Sequence, residues 1–249
     1  MKMTATFRFH AELNGFLTRE RRGCEFAAAC AEAATTKHMI EALGVPHTEV
    51  EAILVNGEPA GFDRLLRDGD RVAVYPHFTA LPGPNAPPLR PALTGAPRFV
   101  ADAHLGGLAR LLRMAGFDTL YRNDYQDREI AAIAALEDRV VLTRDRELLK
   151  LREVTYGCYV HALHTPLQFR EIVERLDLAG RLRPFSRCME CNVTLDAVAK
   201  ADVLDRLPPM VRARHEQFTR CPQCDRIYWP GSHWQRMCTM LAQGLGPTS

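Results

Sequence analysis

The chain has 249 residues, 47% of them hydrophobic and 25% charged, with a formal net charge of +2. That balance is ordinary for a globular protein; it excludes a disordered chain and a polybasic tail as the source of nucleic-acid binding. No apolar run has the length of a membrane span, and the opening Met1-Lys2-Met3-Thr4-Ala5-Thr6-Phe7-Arg8-Phe9-His10 lacks a signal-peptide core, so a cytoplasmic protein with no membrane association is expected.

Taken in chain order, Thr4 to Leu13 alternates in the manner of a strand, with Phe7 and Phe9 on one face. Ala31 to Leu43 suits a helix that stops at Gly44, with Pro46 beyond it. Glu51 to Val55 reads as a strand entering an Asn56-Gly57 turn, and Asp68-Gly69-Asp70 turns into the strand Arg71 to Tyr75. This order and spacing resembles a β-grasp domain, the ubiquitin-like fold of small sulfur-carrier proteins. Leu54-Val55-Asn56-Gly57 and Asp68-Gly69-Asp70-Arg71-Val72 carry the similarity. Such carriers act through a free C-terminal Gly-Gly, whereas this chain runs on past Pro76 and His77, so sulfur transfer is not expected. The resemblance implies a module that docks a protein partner or positions RNA, set against a plain solubilising module.

Residues 81–97 contain Leu81-Pro82-Gly83-Pro84-Asn85-Ala86-Pro87-Pro88-Leu89-Arg90-Pro91, which reads as a semi-extended linker because proline fixes φ and lacks a donor. The boundaries expected are therefore 1–80 for the first domain, 81–97 for the linker, 98–184 for the second domain and 185–249 for a final module.

The second domain carries three strands that run into aspartates. Arg98 to Ala101 meets Asp102, Asp118 to Tyr121 leads to Asp124 and Asp127, and Val140 to Arg144 meets Asp145. Helical patterns follow at His104 to Ala115, Arg128 to Leu136 and Arg146 to Leu151; a fourth strand, Cys158 to His161, and a helix from Pro166 to Leu176 complete the unit. Strands alternating with helices predict βαβ units and a parallel sheet, whose carboxyl ends share one edge. Carboxylates gathered there repel, and a divalent cation is the usual remedy. The plainer account makes each aspartate a helix N-cap. Repetition at all three junctions favours the metal, and one oxygen can cap while the other meets an ion.

Cys188/Cys191 and Cys221/Cys224 form two Cys-x-x-Cys pairs, which predict a closed four-sulfur structural zinc site. The 29 residues between the pairs exceed the usual ribbon spacing, and a helix over Leu195 to Leu207 is expected to fill the excess. Cys24, Cys30, Cys158 and Cys238 have no ligand spacing. Arg110 and Arg113 lie opposite a Leu105, Leu108, Leu112 stripe and read first as a solvated face, second as RNA contacts. Arg144 is better placed to meet a phosphate. Tyr228, Trp229, His233 and Trp234 either fill a thin core or stack on unpaired bases. His104 is read as structural.

From Phe99 onward the chain resembles the Mut-seven C-terminal RNase family, a branch of the PIN-like nuclease fold that ends in a zinc ribbon. Residues 99–113 (Phe-Val-Ala-Asp-Ala-His-Leu-Gly-Gly-Leu-Ala-Arg-Leu-Leu-Arg), 116–121 (Gly-Phe-Asp-Thr-Leu-Tyr) and 141–145 (Val-Leu-Thr-Arg-Asp) carry the likeness, with Arg187-Cys-Met-Glu-Cys-Asn and Tyr228-Trp-Pro-Gly-Ser-His-Trp completing it. The resemblance implies a metal-dependent ribonuclease with Asp102, Asp127 and Asp145 in the acidic, Mg²⁺- or Mn²⁺-binding positions and Asp124 close by. Glu147 is the candidate for a fourth acid.

The expected architecture is thus α/β: an N-terminal β-grasp domain, a PIN-like three-layer parallel sheet and a C-terminal zinc ribbon. The expected activity is hydrolysis of single-stranded RNA with Asp102, Asp124, Asp127 and Asp145 as catalytic residues and Arg144, Arg110 and Arg113 as substrate contacts. A phosphoacceptor is discounted, since no second acid adjoins Asp102 and no lysine lies near Tyr159 to Thr165. The alternative from another class is an RNA-binding or ribosome-associated module that does not cut.

Overall fold

The period of two at the start of the chain does what a strand requires. In the computed structural model, which describes residues 3–76, 87–93, 95–232, 235, 238, 239 and 242, β1 (Met3–Phe9) turns Ala5, Phe7 and Phe9 into a core where each is at most 2% exposed. β2 (Phe26–Cys30) pairs antiparallel with it. The helix expected from Ala31 is shorter, α1 (Thr36–Ala42), because residues 26–30 are claimed by the sheet and Ala33 takes a left-handed φ of 59°. Thr35 caps α1, its hydroxyl accepting the His38 amide at 3.1 Å. β3 (Val50–Val55) and β4 (Glu58–Pro59) form a hairpin across Asn56 and Gly57, whose φ values of 55° and 87° suit the tight turn that matches strand twist. β5 (Arg71–Pro76) lies between β1, to which it is parallel, and β3, giving the order β2-β1-β5-β3-β4. Met39 and Ile40 of α1 join Phe7, Ile53 and Val74 in one core. The expected linker lies partly outside the described residues; within it, Arg90 donates to the carbonyls of Thr48 and Val50.

The strand–helix alternation continues with β6 (Phe99–Ala101), α2 (Gly106–Met114), β7 (Thr119–Tyr121), α3 (Asp127–Glu137), β8 (Val140–Thr143), β9 (Gly157–Tyr159) and α4 (Thr165–Arg175). The four strands form a sheet in the order β7-β6-β8-β9, parallel in the β6–β7 and β8–β9 pairs. Near-continuous apolar runs such as Val140-Val141-Leu142, each at most 2% exposed, are what a strand covered on both faces needs. The helix expected over Arg146 to Leu151 is only a 3₁₀ turn, Leu148–Lys150. Asp145 explains this: its Oδ1 accepts the Glu147 amide at 2.7 Å, a local alternative to helical bonding.

The final module contains β10 (Asp196–Val198), α5 (Lys200–Val203), α6 (Pro209–Arg214), β11 (Phe218–Arg220) and β12 (Ile227–Tyr228), with the antiparallel order β10-β11-β12. The helix expected over Leu195 to Leu207 is therefore broken. Asp196 to Val198 pairs with β11, and Pro208 and Pro209 start a new helix instead of extending the old one. Val203, Leu207 and Phe218 make its small core, with Val198, Val211, Ile227 and Trp229 packed around them.

Two compact units divide the chain: Met1–Gly95 with Gln126–Tyr159, and Ala96–Tyr125 with Val160–Ser249. Among the described residues no helix is long and apolar enough to cross a membrane.

Candidate functional site

Each Cys-x-x-Cys pair folds into the same local shape. The Cys191 amide donates to Cys188 Sγ and the Cys224 amide to Cys221 Sγ, both at 3.4 Å. The next residue in each case, Asn192 or Asp225, is left-handed with φ of 66° or 60°, a conformation Asn and Asp tolerate better than most. The four sulfurs all lie within 4.8 Å of one another, and Cys188 and Cys224 are 3.7 Å apart. A tetrahedron with metal–sulfur bonds of about 2.3 Å has an edge of about 3.8 Å. The thiols therefore fit a structural metal such as zinc, with no position left open for chemistry.

Electrostatics in the metal-free cluster point the same way. Burial alone would raise the Cys188 thiol, but hydrogen bonds from the Tyr228 hydroxyl at 3.1 Å and from the amides of Cys191 and Glu190 outweigh it and bring it to about 7. Cys191 is pushed up to about 12, first by burial and then by its sulfur neighbours. A bound cation needs thiolates, and the Cys188 contacts already favour that form.

The first knuckle is pinned to the edge strand β7. Asn192, 7% exposed, accepts the Thr119 amide at 2.9 Å and donates to Asp118 Oδ1 at 2.7 Å. Arg113 corrects the sequence reading. It lies not on a solvated face but 7% exposed, donating to the carbonyls of Thr119 at 2.8 Å, Met189 at 3.0 Å and Glu190 at 2.8 Å. Its guanidinium ties helix, strand and knuckle together. Periodicity missed this because a long side chain can snorkel inward as well as outward. Arg110, 57% exposed along its side chain, reaches Glu190 at 3.4 Å.

Each aspartate has its own local setting. Asp102, 8% exposed, directly follows β6 and caps the 3₁₀ turn Ala103–Leu105, its Oδ1 accepting the Ala103 amide at 2.5 Å. Asp124 is exposed and bonded to Arg122 at 2.6 Å, which holds its carboxyl below the usual range. Asp127 is the exposed first residue of α3; the cap there is Gln126, in a capping box with Glu129. Asp145 is exposed two residues beyond β8; its amide donates to Thr143 Oγ1 at 2.9 Å. Glu147 is exposed and paired with Lys150 at 2.7 Å. Arg144 is exposed and has no polar partner among the described residues. Among those residues, the four thiols are the group of metal-ligating side chains gathered within ligand range.

Beside the cysteine cluster, a cleft of about 920 Å³ is lined by Phe185, Phe218, Tyr228 and Trp229, with Arg110 and Arg226. Tyr228 supports a metal-binding thiol and Trp229 packs partly on the module's core, while His233 and Trp234 lie outside the described residues. The Gly106-Gly107 pair also has a structural cause. A Cβ on Gly106 would stand 2.6 Å from the Tyr121 hydroxyl, which donates to the Ala103 carbonyl at 3.0 Å and so braces the turn after Asp102.

Two family models match the chain: a Mut7-C RNAse domain over residues 97–241 and a Mut7-C ubiquitin domain over residues 2–82. No curated protein matches. Among solved structures, the chain is similar to the small archaeal modifier protein 1 of H. volcanii, at 19% identity and TM-score 0.25, covering 30% of this chain and 97% of that one. It is also similar to a "putative molybdopterin converting factor, subunit 1" from Pyrococcus furiosus, at 23% identity and TM-score 0.24, covering 30% of this chain and 97% of that one. With the RNase model spanning more than half of the residues and following the ubiquitin-like one, the chain belongs to the Mut7-C RNase domain family.

Proposed function

We propose that the protein is a ribonuclease that hydrolyses phosphodiester bonds of single-stranded RNA, using a divalent cation held by aspartates at the ends of β6, β7 and β8. The observation that carries this is the match to an RNase domain over residues 97–241, which contains every one of those acids. Asp102 Oδ1 accepts the Ala103 amide and Asp145 Oδ1 the Glu147 amide. A carboxylate offers about four lone-pair sites, so a capping bond is compatible with holding a cation. Bound Mg²⁺ or Mn²⁺ would supply a lowered water pKa and charge neutralisation at the reacting phosphate. Asp102, Asp127 and Asp145 hold that ion, with Asp124 nearby, and Arg144 steadies the scissile phosphate. The zinc-bound module holds the strand, with the cleft at Tyr228 and Trp229 offering aromatic faces to unpaired bases.

Labelled single-stranded RNA incubated with purified protein tests this, with Mn²⁺ added and then chelated. Products should appear with Mn²⁺ and vanish with chelator. Asp102→Asn and Asp145→Asn should each lower cleavage at least 100-fold while circular dichroism stays unchanged, since asparagine also caps. Binding without products would favour the non-cutting RNA module.

A further inference from the structure

Arg146, the residue after Asp145, is the link between the β-grasp sheet and the turn that carries this acid. Its Nη1 donates to the Phe16 carbonyl at 2.9 Å and its Nη2 to the Gly15 carbonyl at 3.5 Å. The same guanidinium stands 5.1 Å from the centroid of the Phe16 ring and 5.8 Å from that of Tyr159. Those rings meet edge to face at 5.2 Å. Gly15 and Phe16 end the 3₁₀ turn Ala11–Phe16, where carbonyls lack helical partners and carry partial negative charge. A planar, permanently charged fork lies against a pair of rings and donates to two carbonyls.

Asp145 and its neighbour Arg144 are both exposed; the Asp145 amide donates to Thr143, the Glu147 amide to Asp145, and Lys150 to the Glu147 carboxylate, all bonds local to the turn and the segment after it. Arg146 reaches out of that turn to a separate, well-packed element. A metal ligand must be held within about 0.5 Å of its working position to be useful.

We propose that Arg146 is a positioning residue: through it the β-grasp module fixes the Asp145 turn for cation binding. This rests on the ribonuclease reading of Asp145. The β-grasp domain is then a fixed brace for the acid and not only a handle for partners.

The test uses the full chain with three variants: Arg146→Ala, Arg146→Lys and, as a control elsewhere on the same interface, His47→Ala. His47 Nε2 donates to the Val154 carbonyl at 3.0 Å, a bond that involves no residue of the turn. Amide hydrogen exchange across residues 143–147 and the Mn²⁺ midpoint of RNA cleavage are measured together. Arg146→Ala should speed exchange in the turn at least tenfold and raise the Mn²⁺ midpoint about tenfold. Arg146→Lys should fall nearer to alanine than to wild type, because one ammonium cannot replace the stacked fork. His47→Ala should move neither reading by more than twofold. Turn exchange unchanged by Arg146→Ala, or changed equally by His47→Ala, overturns the proposal. Were wild-type protein to cleave nothing, the ribonuclease reading would fail, and the exchange data would still decide whether Arg146 fixes the turn.

Discussion

Glu49 Oε1 accepts the backbone amide of Tyr159 at 2.6 Å. Tyr159 closes β9, an outer strand of the four-stranded sheet, and Glu49 is 2% exposed. A side chain from the turn before β3 thus occupies a donor that an open edge would leave available for pairing with another chain. Glu49→Ala should cost about 2–3 kcal/mol, since it strips a charged acceptor from an amide away from water. Glu49→Gln, which keeps an acceptor, should cost less than half as much. Urea unfolding, with the midpoint falling and the slope constant, is the measurement; equal losses for both variants would show that burial rather than the bond matters.

Arg113 performs a similar service for the second unit. Arg113→Ala should destabilise by about 3–4 kcal/mol, because it leaves three carbonyls and a packed stem without a partner. Arg113→Lys should recover less than half of that, as a point charge cannot span carbonyls on β7 and on the knuckle. The loss should be seen without any change in RNA affinity per folded molecule. A selective loss of RNA binding at unchanged stability would restore the substrate-contact role.

Removing the metal should unfold the last module before the rest. Native mass spectrometry is expected to find one zinc per chain, lost in Cys188→Ser and in Cys221→Ser. Apparent zinc contributions in small cysteine modules run to about 10 kcal/mol or more, far above what Val203, Leu207 and Phe218 can supply as a core. Chelation should therefore abolish the near-ultraviolet signal of Trp229 while the far-ultraviolet spectrum of the parallel sheet survives. Full retention of both signals after metal loss would refute a structural role.

Trp229→Ala tests the cleft. Loss of an aromatic face for an unpaired base costs about 1–3 kcal/mol of binding, so the KM for single-stranded RNA should rise roughly 5- to 150-fold with kcat little changed. Trp229→Phe should restore most of it. A fall in kcat alone, or collapse of the module by circular dichroism, would return Trp229 to a purely structural account.

The order of elements was legible because local chemistry writes it. Phe7 and Phe9 alternate, Asn56-Gly57 makes a turn few other pairs permit, and the apolar run at Val140 needs cover on both faces. Two Cys-x-x-Cys pairs name a metal by spacing alone. Where the sequence misled, a longer-range partner had the larger free energy. The stretch from Leu195 has helical periodicity, yet pairing with β11 and the prolines at 208 and 209 win. Gly116 combines both kinds of cause: it stops α2 with a φ of +99°, its amide donating to the Arg113 carbonyl and that of Phe117 to the Leu112 carbonyl, while a Cβ there would lie 2.3 Å from the carbonyl of distant Arg183.

What the sequence determined by itself was therefore the main strands of the first two domains, the two Cys-x-x-Cys pairs and the acids that follow the strands. These depend on neighbours within a few residues. What only tertiary structure decided was the use of the long polar side chains. Whether Arg113 faces water or three carbonyls, whether Arg146 grips Phe16, and whether Glu49 covers β9 each depend on chain segments 70 to 130 residues away. An arginine or glutamate is compatible with both outcomes, and only the arrival of a distant acceptor or donor makes burial the cheaper one.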